Sequence, residues 1–75
     1  MADIQQTLAR NLRLARQRAG VSQEALAEMA GIDRTYVSGI ERGVRNPTIT
    51  VVEKFAAALA TTASALLQDD NGRSQ

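Results

Sequence analysis

Hydrophobic positions along this chain repeat with a helical period from end to end. Ile4, Leu8, Leu12, Ala15 and Ala19 recur at every fourth or third position. That spacing lines one face of an α-helix and predicts a first helix over about 3–19. Gly20 stops it, because glycine tolerates the left-handed backbone that follows a helix end. Ser22 then stands as an N-cap before Leu26, Met29 and Ala30, the apolar side of a short second helix over about 22–30 closed by Gly31. A hydroxyl at an N-cap satisfies an orphan backbone amide, and Glu24 suits the positive end of that helix.

Gly31, Ile32 and Asp33 alone separate this helix from the next. Asp33 is a second N-cap. Val37 and Ile40, three apart, are the inward pair of a third helix that ends at Gly43. Arg34, Thr35 and Ser38 fall mostly on its exposed side. After the loop Val44-Arg45-Asn46-Pro47, Thr48 caps a fourth helix with the stripe Val52, Phe55, Ala56 and Leu59. Thr62 caps a short fifth helix that runs through Leu66 and Leu67. No stretch alternates with the period of two that marks a strand. The fold class is therefore all-α, a compact five-helix domain over 1–68, with 69–75 an unstructured tail that has nothing to bury.

Composition narrows the chemistry. Seventy-five residues make one small domain. Histidine and cysteine are absent, which removes the commonest general base, thiol nucleophiles, disulfide frameworks and zinc fingers together. With no glycine-rich phosphate loop and no paired carboxylates in an apolar setting, no enzyme site is legible, and no cofactor or metal is expected. No apolar run approaches the ~18 residues of a membrane span and no signal peptide opens the chain, so the expectation is a soluble, cytoplasmic protein. Thirteen of the 33 apolar residues are Ala. The core is thin, which favours a partner that buries more surface.

Net charge is only +1, but it is unevenly placed. Residues 10–48 carry seven Arg against four acids, and the remainder is net negative. A basic segment suits a polyanion, although surface arginines on a solvated helix face give the same count. The stronger signal is the pair of short helices joined by a tight turn containing Gly. Helices so joined cross steeply, as in a helix-turn-helix that offers its second helix to the DNA major groove.

The residues at 22–43 (Ser-Gln-Glu-Ala-Leu-Ala-Glu-Met-Ala-Gly-Ile-Asp-Arg-Thr-Tyr-Val-Ser-Gly-Ile-Glu-Arg-Gly), with Arg-Asn-Pro-Thr at 45–48 and Leu-Ala-Thr-Thr-Ala-Ser-Ala-Leu-Leu at 59–67, closely resemble the phage repressor/Cro-like, XRE-type helix-turn-helix family. The resemblance spans about residues 5–68. A narrower one lies in Asp33 to Arg42 followed by Arg45-Asn46, which is similar to the controller proteins of restriction–modification systems. General regulators of the larger family share that string.

The resemblance implies a lambda-repressor-like domain that binds double-stranded operator DNA as a homodimer. It implies an ion pair between Arg16 and Glu41. It places Arg34, Thr35 and Ser38 at the end of the recognition helix that meets base edges, and Ser22, Gln23, Arg45, Asn46 and Thr48 at the phosphate backbone. Tyr36 fits equally a phosphate or sugar contact and a packed surface ring. Gly39 either permits close approach or leaves a position unread, and Arg10 and Arg13 both lie on the first helix with nothing to choose between them. The family's usual Gly after the fourth helix is Ala60 here, and an apolar residue after it is Thr61, so the fourth turn departs from the pattern. Val51, Leu66 and Leu67 are the candidates for the dimer contact.

The functional expectation is a transcriptional regulator acting through concentration and dimerisation, with no small-molecule ligand. A restriction–modification controller, a phage-type repressor and the antitoxin of a toxin–antitoxin pair remain as alternatives within it.

Overall fold

Five side-chain caps set where the helices of this protein begin. In the computed structural model, which describes residues 3–69, α1 is Ile4–Ala19, α2 Gln23–Ala30, α3 Arg34–Glu41, α4 Ile49–Ala58 and α5 Ala63–Leu66. Asp3, Ser22, Asp33, Thr48 and Thr62 each hold an extended backbone and accept a hydrogen bond from an amide of the first turn. The sequence pattern finds the last four of these; Asp3 is an addition.

The first four helices also end alike. The amides of Val21, Ile32, Val44 and Thr61 reach back to the carbonyls of Arg16, Ala27, Gly39 and Ala56 at 2.9–3.2 Å. This is the Schellman closure, which needs a left-handed residue just before. Glycine supplies it at Gly20, Gly31 and Gly43, and Ala60 adopts it at φ 56° despite its Cβ.

α3 packs against both α1 and α2, α4 against α2 and α5, and α5 closes onto α1. The core between them is Leu8, Leu12, Leu26, Ala27, Val37, Ile40, Val52, Phe55, Ala56 and Leu66. Some helical positions fall differently from the simple stripe. Ile4 is 58% exposed and Ala19 is also at the surface, because both ends of the 16-residue α1 overhang the bundle. Thr7 and Ala9 are buried instead, on either side of Leu8. Met29 is 52% exposed, since α2 turns Leu26 and Ala27 inward.

Two expectations about the far end of the chain change. Leu66 is 2% exposed within the protomer's own core, so its side chain has no surface to give a second copy. Val51 and Leu67 are partly buried and lean on that core from outside. Asp69 is half-buried and shares a groove with Thr7, Arg10 and Arg13 of α1. The rest of the expected tail, 70–75, lies outside the described residues.

Candidate nucleic-acid interface

The surface in question is built from the starts of α2 and α3 and the loop that follows α3. Capping by Asp33, whose carboxylate accepts from the Thr35 amide at 2.9 Å, fixes the first turn of α3. Arg34 and Thr35 on that turn are exposed, while Ser38 is half-buried one turn on. Neither Arg34 nor Thr35 gives its side chain to an intramolecular hydrogen bond among the described residues. An unpartnered guanidinium at a helix start is free to fork onto an outside acceptor.

What holds α3 in place is a buried polar cluster. Arg16 Nε lies 2.7 Å from Glu41 Oε2 and Arg16 Nη2 lies 3.1 Å from Oε1, a bidentate pair between α1 and α3. The Glu41 side chain is 3% exposed and that of Arg16 14%. Hydrogen bonding to Glu41 raises the Arg16 pKa above its ordinary value, against burial, which lowers it. The stabilisation this adds is complete below the ordinary arginine pKa and is lost only above the raised one, so the pair stays intact through neutral pH. Arg16 Nη1 also donates to the Val21 carbonyl at 2.9 Å, and Arg13 donates to the Glu41 carbonyl at 3.3 Å.

Gln23 joins this cluster. Its Nε2 donates to Glu41 Oε1 at 3.0 Å, so the side chain expected at the DNA backbone is anchored inward through one of its amide hydrogens. Ser22 and Thr48 are likewise engaged as caps, their oxygens accepting from the amides of Ala25 and Val51 at 3.0 and 3.2 Å. Each hydroxyl hydrogen remains available to donate. The amides of Gln23 and Glu24 precede the first intrahelical bond of α2, from Leu26 to the Ser22 carbonyl, and so have no acceptor within the helix.

The loop after α3 carries the remaining expected backbone contacts. Asn46 and Arg45 are both exposed, and the Arg45 side chain lies back along α3. Its guanidinium carbon sits 5.5 Å from the centroid of the Tyr36 ring, and its stem runs over Gly39. Tyr36 is thereby a half-buried ring with a cation over it. Gly39 is covered, not open.

Two side chains that sequence reasoning did not single out complete the scaffold. Gln5 Nε2 donates to the carbonyls of Gly43 and Arg45 at 2.9 and 3.1 Å and pins the loop to α1. Asn11 Nδ2 donates to the carbonyls of Leu66 and Gln68, both at 2.8 Å, and closes the end of α5. Nothing local marks either residue, since each acts on backbone far away in the chain.

Known proteins align with this arrangement over most of its length. A family model described as a helix-turn-helix, HTH_3, matches residues 12–66. A hypothetical transcription factor of Neisseria meningitidis serogroup B is 49% identical over 65 residues, 87% of this chain and 61% of that relative. The chain thus spans about three fifths of that relative's length. Control protein C.SmaI of Serratia marcescens is 43% identical over 65 residues, 87% of this chain and 77% of its own. Among solved structures, the restriction–modification controller protein C.Esp1396I, crystallised as a tetramer in complex with its 35-base-pair operator, superposes with a TM-score of 0.79 at 32% identity, over 88% of this chain and 87% of that one. Two capped helices at a tight turn, the second seated by a buried ion pair, and a family match running from α1 to the end of α5 place this chain in the HTH_3 helix-turn-helix family.

Proposed function

We propose that this protein is a transcriptional regulator that reads a pseudo-palindromic DNA operator as a homodimer, and that it acts as the controller of a restriction–modification system. The carrying observation is the start of α3. Arg34 and Thr35 are exposed and uncommitted there, on a helix whose other end is locked to α1 and α2 through Glu41. A rigid helix with free polar groups at its N-terminal end is what base reading requires. The similarity to C.SmaI and to an operator-bound controller supports the same reading of a regulator.

In this reading Arg34 bonds a guanine edge, Thr35 and Ser38 meet neighbouring base edges, and Ser22, Gln23, Arg45, Asn46 and Thr48 set the register on phosphates. Val51 and Leu67 contribute to the dimer contact.

The test is to select bound sites from random DNA and then measure Arg34→Ala on the selected site and on unselected DNA. A bidentate arginine–guanine contact is worth about 1–3 kcal/mol. Affinity for the selected site should therefore fall by about 5–150-fold, with a much smaller loss on unselected DNA. Equal losses would remove base reading from Arg34. Failure to enrich any sequence would remove the proposal.

A further inference from the structure

We propose that Gly39 is a notch cut into α3 to receive Arg45, so that a loop residue supplies the cation on this part of the recognition helix. This rests on the DNA-binding reading above. Gly39 sits inside a helix with ordinary helical backbone, where glycine weakens the helix and its conformational freedom serves nothing. Only space explains it. A Cβ placed on Gly39 would run into Arg45 Cγ and come within 3.3 and 3.4 Å of its Nε and Cδ. The stem of Arg45 therefore lies flat on the bare backbone, and the guanidinium ends over Tyr36, one turn back along the same side of α3.

The backbone of Arg45 is held to match. Its amide donates to the Gly39 carbonyl at 3.2 Å, and its own carbonyl accepts from Gln5 at 3.1 Å. Gly39 is in this sense a positioning residue that acts through Arg45. A side chain at position 39 meets Arg45 at Cγ, so the whole side chain must turn about its Cα–Cβ bond, which lifts the guanidinium off Tyr36; the three atoms nearest the added Cβ are all side-chain atoms of Arg45, none of them backbone.

A double-mutant cycle tests this on wild type, Gly39→Ala, Arg45→Ala and the double variant, with the DNA site that the wild type selects from a random pool as probe. Loss of a charge-assisted hydrogen bond lowers affinity by about tenfold or more. Gly39→Ala should lose about as much as Arg45→Ala, and the double variant should lose no more than either alone. Melting temperature should hold or rise in Gly39→Ala, since alanine is the better helix former. Losses that multiply, or a Gly39→Ala protein that binds as the wild type does, would overturn the notch. A separate arm needs no DNA: NOEs from the Arg45 side chain to the Tyr36 ring should be present in the wild type and absent in Gly39→Ala. If the wild type selects no site, the DNA-binding reading fails, and persistence of those NOEs in Gly39→Ala still decides against the notch.

Discussion

Glu41 is the residue on which the geometry of α3 turns. A carboxylate 3% exposed and bonded by Arg16 and Gln23 is affordable only while its partners stay, because a buried charge left alone costs far more than the pair contributes. Arg16→Ala should accordingly destabilise by about 3–5 kcal/mol in urea unfolding. DNA binding would be lost through the fold, not through reading. Gln23 separates the two roles. Gln23→Ala removes a donor from a charged acceptor and should cost about 1.5–3 kcal/mol, whereas Gln23→Glu sets a second carboxylate against Glu41 and should cost more. Equal stabilities of the two variants would mean that Gln23 does not bond Glu41 in solution. The sequence singles out all three residues, but it assigns Gln23 to the phosphate backbone. Its link to Glu41 joins positions 18 apart in the chain, which no helical spacing encodes.

At the scale of the element, helix ends are the legible part of this chain, and Ala60 shows why a departure from pattern need not alter geometry. It occupies the same left-handed position as Gly20 and Gly31, and the Thr61 amide still reaches Ala56 at 2.9 Å. The strain falls on the residue while the turn keeps its form. Left-handed backbone costs a non-glycine residue about 1–2 kcal/mol, part of which glycine returns through its greater freedom when unfolded. Ala60→Gly should therefore stabilise by about 0.5–1 kcal/mol, seen as a raised melting temperature. Gly31→Ala is the mirror experiment. Nothing lies within 4 Å of a Cβ there, so its loss, about 1 kcal/mol, reports backbone strain alone. A rise in stability for Gly31→Ala would contradict the left-handed closure of α2.

For the whole molecule the question is which apolar side chains serve the protomer and which remain for a second copy. Leu66 belongs to the first group at 2% exposure. Leu66→Ala should lower stability by about 2–5 kcal/mol. Val51 and Leu67 lie partly open at the edge of the same core. If the proposed homodimer is built on these two residues, the wild type should sediment as a dimer, and Val51→Glu and Leu67→Glu should keep the helical fold and shift sedimentation toward monomer. Unchanged sedimentation in both would move the dimer contact elsewhere. Weakened dimers should also weaken operator binding, because two half-sites are then engaged separately.

The sequence by itself determines the five helices, four of their caps, and the three-residue link that makes a helix-turn-helix. Those features are local: a helical period, a cap acting on an amide two or three residues on, a glycine just past a helix end. What the tertiary structure decides is everything joined across the chain. Gln5 meets Gly43 across 38 positions, Asn11 meets Leu66 across 55, and Arg16 meets Glu41 across 25, the last foreseen through the family resemblance and not through any local pattern. The same holds for the overhanging Ile4, the outward Met29 and the inward Leu66, whose exposure depends on where neighbouring helices end. Gly39 is the clearest case. In the sequence it is a missing side chain, and only the return of the loop over α3 shows that Arg45 fills the space.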